Sequence, residues 1–229
     1  MFGKIKMNVD EWAKSGKPWN VILQGDCMDL MKHFNDKEIS LCIVDPPYGI
    51  GDFNKYVGDS NIYKQRADAK YGDIKWNDTP PDPEYFAELI RISKNRIIWG
   101  ANYYWEYIPE KNYIVWDKDN PGSRWSKAEI ASVSIGVNEI VKFQWNGFLR
   151  CETVTRIHPC QKPVALYRWI LQNYAKPGDK IIDTHSGSGS CAVACHLEKF
   201  QFLAIEKDED YFNASVKRLD EVRAQGVLF

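Results

Sequence analysis

Leu41-Cys42-Ile43-Val44-Asp45-Pro46-Pro47-Tyr48 is a run of four apolar residues that stops at a carboxylate, two prolines and an aromatic ring. Four apolar residues in succession suit a strand buried on both faces. Two prolines without N–H donors cannot extend a ladder, so the chain is expected to leave the sheet at Asp45. The acid, the Pro46 carbonyl and the Tyr48 ring then stand at the carboxyl edge of a sheet, the edge at which open α/β folds bind ligands. The fixed φ of each proline stiffens the turn, as a site that aims hydrogen-bond acceptors at one group requires.

Toward the amino terminus, Val21-Ile22-Leu23-Gln24 reads as a second strand, and Gly25-Asp26 turns it into a short helix with Leu30 and Met31 inward. Asp26 stands at a strand end and suits the N-cap of that helix. Toward the carboxyl terminus, residues 83–93 read as a helix with Phe86, Leu89 and Ile90 on one face and Pro83 in its first turn. Asn95-Arg96-Ile97-Ile98-Trp99 and Tyr113-Ile114-Val115-Trp116 follow as strands, and residues 130–137 and 140–145 as a further, antiparallel pair. This alternation of helices with apolar strands predicts a wound, largely parallel sheet.

Two stretches between these elements carry groups of basic residues. The long connection from Gly49 to Asp82 interleaves Lys55, Lys64, Arg66, Lys70 and Lys75 with Phe53, Tyr56, Tyr63, Tyr71 and Trp76. That pattern suits phosphate contact and base stacking, with Asp52, Asp59, Asp68 and Asp73 offsetting part of the charge. The second carries Lys142, Arg150, Arg156 and Lys162 against Glu152 and ends in His158-Pro159-Cys160-Gln161-Lys162-Pro163. Pro163 fits the first turn of a helix with Leu166, Trp169, Ile170 and Tyr174 on one side, so Gln161 and Lys162 fall at a helix N-terminus, where anions are favoured.

Lys180-Ile181-Ile182-Asp183 is a strand, Thr184-His185-Ser186-Gly187-Ser188-Gly189-Ser190 a turn into a helix, and Phe202-Leu203-Ala204-Ile205-Glu206 the next strand, ending in an acid. Glycines let the backbone approach a ligand, and an acid about 20 residues later binds ribose hydroxyls. A dinucleotide site would favour a third glycine, which Ser190-Cys191-Ala192 does not supply.

Asp45-Pro46-Pro47-Tyr48 resembles the catalytic motif of S-adenosylmethionine-dependent DNA N6-adenine methyltransferases. His158 to Pro163 resembles the same family's His-Pro-x-Gln-Lys-Pro motif. Asp183 to Gly189 resembles its cofactor loop, commonly Asp-Pro-Phe-x-Gly-Ser-Gly, and departs from it at Thr184 and His185. The order of the three is that of the β-type amino-methyltransferases, a circular permutation of the commoner layout. The resemblance implies an α/β fold of the class I methyltransferase type: a Rossmann-like, seven-stranded, mostly parallel sheet with one antiparallel strand, in which the strands ending at Asp45 and Asp183 are neighbours. It further implies Asp45, Pro46, Pro47 and Tyr48 as the catalytic residues. Asp26, Lys162, Asp183, Ser186, Gly187, Gly189 and Glu206 would bind S-adenosylmethionine, and no metal is needed. Expected is a site-specific DNA N6-adenine methyltransferase, as in restriction-modification, acting on a flipped base. N4-cytosine methylation is the alternative within the fold, and a non-catalytic nucleic-acid-binding subunit the alternative outside it. Pro159-Cys160 superficially resembles the nucleophile of C5-cytosine enzymes, but the surrounding motif accounts for Cys160.

Residues 1–229 are expected to form a single domain, with 50–76 and 117–128 as the segments that contact double-stranded DNA, and a homodimer is a candidate assembly. The charges nearly cancel, 30 basic against 31 acidic, so DNA must be held by a local basic face rather than by net charge. Nine Trp, twelve Tyr and ten Phe exceed what the strands need, which leaves rings for base stacking. The cysteines at 27, 42, 151, 160, 191 and 195 form no CxxC pair or zinc-like cluster and read as reduced thiols. No apolar run approaches ~20 residues and the start lacks the apolar core of a signal peptide, so no membrane span is expected and the protein is read as cytoplasmic. Gln225-Gly226-Val227-Leu228-Phe229 resembles the Gln-x-x-Leu-Phe peptides that bind the bacterial sliding clamp; the other reading is that Leu228 and Phe229 pack back on their own domain.

Overall fold

The computed structural model of the protein describes residues 7–50, 79–122, 126–146, 149–150 and 156–225. The expected DNA-contact segment 50–76 lies outside the described residues except for Ile50, as do residues 123–125 of the second such segment and 226–229 of the tail.

The elements, in chain order, begin with α1 (Val9–Lys14), β1 (Val21–Gln24), α2 (Cys27–Met31) and β2 (Ile39–Val44). Next come α3 (Pro83–Ile92), β3 (Ser93–Trp99), a 3-10 turn (Ala101–Tyr103), β4 (Asn112–Asp117), β5 (Ala128–Val133) and β6 (Glu139–Lys142). A two-stranded ladder of β7 (Trp145–Asn146) and β8 (Leu149–Arg150) is followed by α4 (Val164–Tyr174), β9 (Lys180–Asp183), α5 (Ser190–Leu197), β10 (Gln201–Glu206) and α6 (Glu209–Gln225). Asn8 and Glu11 close a reciprocal capping box on α1, and the Asp26 carboxylate caps α2 by accepting from Met28 N at 2.9 Å.

Among the described residues eight strands form the main sheet, in the order β1-β10-β9-β2-β3-β5-β4-β6. Every neighbouring pair is parallel except those of β5, which runs antiparallel to both β3 and β4. The mostly parallel sheet with one reversed strand is therefore present, with the four-residue edge strand β6 making an eighth. The two strands expected to pair antiparallel, over 130–137 and 140–145, do not touch: β4 lies between β5 and β6. Their alternation showed that each has an inner and an outer face, and alternation says nothing about which strand is the neighbour.

Successive residues of the central strands enter opposite layers. Leu41 and Ile43 join Ile97, Trp99 and Ile181 beneath Leu166, Val193 and Phe212 of α4, α5 and α6. Cys42 and Val44 join Ile98, Ile182 and Leu203 beneath Trp12, Leu30, Phe86 and Leu89 of α1, α2 and α3. Each such Leu or Ile contributes roughly 1.5–3 kcal/mol by leaving water. The chain departs from β9 toward β10 and β1 on one side, and from β2 toward β3 on the other. The crevice between the carboxyl ends of β9 and β2 is thus the switch point of the sheet, and Asp183 and Asp45 stand at it.

Candidate active site

Asp45 follows the last residue of β2, and Pro46–Pro47 carry the chain out of the sheet as a stiff arm. Asp45 Oδ1 accepts from the Tyr48 hydroxyl at 2.7 Å, while the Lys162 ammonium sits on Oδ2. Tyr104, fully buried after the 3-10 turn, donates to the Pro46 carbonyl at 2.9 Å and shares its hydrogen with the Pro47 carbonyl. A carbonyl has two lone pairs, so Pro46 keeps one free to accept from a ligand. Gly100 has φ +73, and a Cβ there would collide with the Tyr48 ring; only glycine allows the chain to turn after β3 this close to Tyr48. The Tyr48 ring lies parallel to that of Tyr103, with centroids 5.0 Å apart and planes 17° apart, and Tyr103 is 46% exposed.

A chain of charges stands behind the Asp45 carboxylate. Lys162 Nζ is 2.9 Å from Glu129 Oε2 and lies between the Tyr48 and Trp99 rings, 5.6 and 5.3 Å from their centroids. Glu129 is ion-paired in turn with Lys118. Burial pushes the Asp45 carboxyl above its ordinary range, with Lys162 offsetting part of the effect and the Glu129 charge adding to it. Burial would also raise Glu129, but two ammonium groups outweigh it and hold that carboxyl down at about 2. Lys162, expected at a helix start beside the cofactor, does immediately precede Pro163, the N-cap of α4, yet its ammonium is directed at the Asp45 motif.

The loop after β9 forms the other half of the site. Asp183 is buried beneath it, accepts from His185 N at 3.1 Å, and is pushed up to about 8 by burial. At the two positions that depart from the family pattern, Thr184 Oγ1 lies 2.6 Å from the Tyr85 hydroxyl and 3.0 Å from His185 Nδ1. The His185 ring packs edge-on against Tyr85. Burial lowers His185 to about 4, so a neutral imidazole fills the place where the pattern has an aromatic ring. Ser186 Oγ is buried and has no hydrogen-bond partner among the described residues. Gly187 N donates to Glu206 Oε2 at 2.7 Å, and Asp208 N to Oε1 at 2.9 Å. Gly189, at φ +72, is the N-cap of α5, and a Cβ there would lie 3.0 Å from Ser215. Asp26 holds Lys207 at 3.0 Å across the mouth; burial is outweighed there by the Met28 N–H and Lys207, so its carboxyl lies below the usual range.

Both halves open into one cavity of about 1550 Å³. Of the residues singled out from the sequence, Asp26, Asp45, Pro46, Pro47, Tyr48, Lys162, Ser186, Gly187 and Glu206 line it, whereas Asp183 and Gly189 shape the loop from beneath. Cys160 also lines it, but burial pushes its thiol up to about 12, which leaves no thiolate for nucleophilic attack. Glu129, Tyr103 and Tyr104 were missed: they lie on β5 and after β3, and nothing in their local sequence marks them; Lys118, within the segment 117–128 expected to contact DNA, is instead paired with Glu129. Arg156 reaches the cavity wall while its guanidinium donates to the backbone carbonyls of His158 and Pro159. Among the described residues no helix is long and apolar enough to cross a membrane, and no cluster of His, Cys, Asp and Glu has the make-up of a metal site.

The chain is similar to the type II methyltransferase M2.MboI of Moraxella bovis, 23% identical with 88% of each chain covered. It is likewise similar to the type II methyltransferase M.HinfI of Haemophilus influenzae, 24% identical over 96% of this chain and 72% of that one. Its fold matches the crystal structure of the M1.HpyAVI–SAM complex with a TM-score of 0.57 at 20% identity, covering 87% of this chain and 98% of the other. It also matches the PvuII cytosine-N4-specific DNA methyltransferase with a TM-score of 0.58 at 11% identity, over 89% and 91%. The model of the N6/N4 DNA methylases matches residues 39–217, the span that holds β2, the reversed strand and the glycine loop, and the chain belongs to that family.

Proposed function

We propose that the protein is a site-specific, cytoplasmic DNA N6-adenine methyltransferase that takes its methyl group from S-adenosylmethionine. The observation that carries this reading is the placement of the Asp45 carboxylate and the Pro46 carbonyl on the wall of the cavity that also contains the glycine loop. The N6 lone pair of adenine is delocalised into the ring and attacks poorly. Two fixed acceptors on its two hydrogens favour a pyramidal nitrogen whose lone pair points outward, and their rigidity removes the cost of aligning them during reaction. The base must leave the duplex to reach them. Tyr103 stacks on the Tyr48 ring, which marks a face suited to a flat partner, and the flipped base is read as displacing Tyr103 to take that face.

The cofactor supplies a methyl group on a sulfonium, which leaves as a neutral thioether. The residues present fit such a group: Ser186 offers a buried hydroxyl with no hydrogen-bond partner among the described residues, and Glu206 stands at a strand end with Oε2 on the glycine loop and Oε1 on Asp208 N. Glu206 would hold the ribose hydroxyls, Asp26 the adenine amino group, and the backbone around Ser186 and Gly187 the amino-acid end. N4-cytosine methylation is the second reading, since the same two acceptors serve a cytosine amino group and the fold is shared with a cytosine-N4-specific enzyme. Asp45, rather than the serine typical of cytosine enzymes, favours adenine.

We place DNA recognition on the β4–β5 connection within 117–128 and on 50–76, within a single domain. A second copy of the chain and a sliding clamp bound through residues 225–229 are further proposed partners. Digesting DNA exposed to the protein and a labelled donor into nucleosides tests the reading. Label in N6-methyladenine supports it, label in N4-methylcytosine selects the second reading, and unlabelled DNA leaves the non-catalytic binding subunit.

A further inference from the structure

Glu129 is the acid that joins the charges around Asp45. Its Oε2 lies 2.9 Å from Lys162 Nζ and 3.2 Å from the Tyr48 hydroxyl, and its Oε1 pairs with Lys118. Lys162 reaches Asp45 on its other side. Lys118, Glu129, Lys162 and Asp45 thus alternate in sign along one line, with no side chain among them more than 20% exposed. Charges this poorly solvated interact strongly, so the share of the ammonium that each carboxylate receives sets how basic that carboxylate is. An ammonium given wholly to Asp45 would keep the carboxylate ionised and make it a weak acceptor. Divided between two acids, it leaves Asp45 the more basic of the pair, because Glu129 has a second lysine whereas Asp45, among the described residues, has the Tyr48 hydroxyl in its place.

We propose that Glu129 is a positioning residue for methyl transfer: it draws the Lys162 ammonium partly off Asp45 and so keeps Asp45 able to take the proton that the amino nitrogen gives up. The proposal rests on the reading of Asp45 as the acceptor of the substrate amino group. As the nitrogen lone pair forms the new N–C bond and the methyl–sulfur pair stays on sulfur, the nitrogen becomes cationic, and one of its protons passes to Asp45 Oδ1. Glu129 already holds the Tyr48 hydroxyl at 3.2 Å, so that hydroxyl has a second acceptor when the substrate claims Oδ1.

Besides Lys162, Glu129 and Tyr48, the groups that face Asp45 are Tyr104, Tyr167, Cys160 and Asp183. Burial keeps the phenols and the thiol neutral, and Asp183, with its carboxyl at about 8, is protonated through the acid range. Beyond burial itself, the titration of Asp45 is therefore governed by Lys162, Glu129 and Tyr48.

The test is the Asp45 carboxyl titration, followed by carbon NMR of the cofactor-free protein with labelled aspartate, alongside the pH profile of kcat in the loaded enzyme. Glu129→Gln removes a like charge and should lower the Asp45 midpoint by on the order of one pH unit. At neutral pH its kcat should fall about three- to tenfold, with the cofactor Kd within about twofold of the parent. Lys118→Met leaves Glu129 with one cation fewer and should raise the midpoint, and Glu129→Asp, which keeps the charge, should return it toward the parent. A midpoint unmoved by Glu129→Gln, shifts of the same sign in Glu129→Gln and Lys118→Met, or a loss confined to cofactor affinity would overturn the proposal. If Glu129→Gln does not fold, Lys118→Met decides alone: an upward shift supports the proposal, and none or a downward one ends it. Opposite shifts in a protein that methylates no DNA would support the coupling and refute the functional reading instead.

Discussion

Replacing Asp45 by alanine separates chemistry from binding. The carboxylate is one of two acceptors proposed for the substrate amino group, and removing one preorganised hydrogen bond of this sort costs on the order of 10²–10³ in rate, or about 2.7–4 kcal/mol of barrier. The carboxylate also partners Lys162, and stripping a buried ion of its partner ordinarily costs about 3–5 kcal/mol of stability. Here Glu129 stays 2.9 Å from Lys162 Nζ and 3.2 Å from the Tyr48 hydroxyl, so neither group is orphaned. The expected loss is accordingly smaller, ~1–2 kcal/mol, a fall in Tm of about 2–8 °C for a chain of this size. The glycine loop and Glu206 are untouched, so cofactor affinity should hold. Single-turnover methyl transfer, calorimetric cofactor binding and thermal unfolding read the three quantities. Turnover within threefold or so of the parent would refute the assignment of Asp45, because a lost acceptor must appear in the chemical step. A collapse of cofactor binding would instead mean that Asp45 supports the loop.

Three further perturbations address other parts of the site. Glu206→Ala removes the acceptor of Gly187 N and Asp208 N and should weaken cofactor binding at least ~10-fold by titration calorimetry, and an unchanged Kd would remove Glu206 from the cofactor site. Tyr104→Phe deletes the donor that fixes the Pro46 carbonyl and should cost about 0.5–1.5 kcal/mol in denaturant unfolding, with a fall in kcat and little change in cofactor Kd; full kcat would show that the carbonyl needs no such anchor. Asp183 has a carboxyl raised from 3.8 to about 8, so between those values the folded state binds a proton that the unfolded state has released. Stability of the cofactor-free protein should therefore decline as pH rises from about 4 to about 8, and Asp183→Asn should flatten that slope; a mutant with the parent's slope would place its origin elsewhere.

The sheet was legible because its central strands are apolar on both faces and its punctuation is strong. Two prolines end β2, two glycines with a following acid mark the turn from β9 into α5, and these local signals put Asp45 and Asp183 at strand ends; that the two strands adjoin was implied by the family resemblance. The strand neighbours at the far edge were not legible: β5 inserts between β3 and β4, and alternation within 130–137 and 140–145 is equally consistent with their pairing to each other. Within the site, residues on one turn could be read together, such as Asp45 with Tyr48 or Gly187 with Gly189. The charge network could not. Lys162 is 117 positions from Asp45, Glu129 is an ordinary acid in an alternating strand, and only the reversed course of β5 brings the two together. Lys162 lies at a helix start as its sequence suggests, but the direction of a long side chain is set by the carboxylates that neutralise it. The Thr184-His185 departure from the family pattern likewise finds its explanation in a distant residue, Tyr85 of α3.

In the proposed site one amino group meets two acceptors at the end of β2. A crystal structure of the protein with a target-containing duplex and a non-transferring cofactor analogue measures this directly. Expected is a flipped adenine on the Tyr48 ring, with its exocyclic nitrogen within about 3.2 Å of both an Asp45 carboxylate oxygen and the Pro46 carbonyl oxygen. An amino group that contacts neither atom, or a base that stays stacked in the duplex over a fully loaded site, would contradict it.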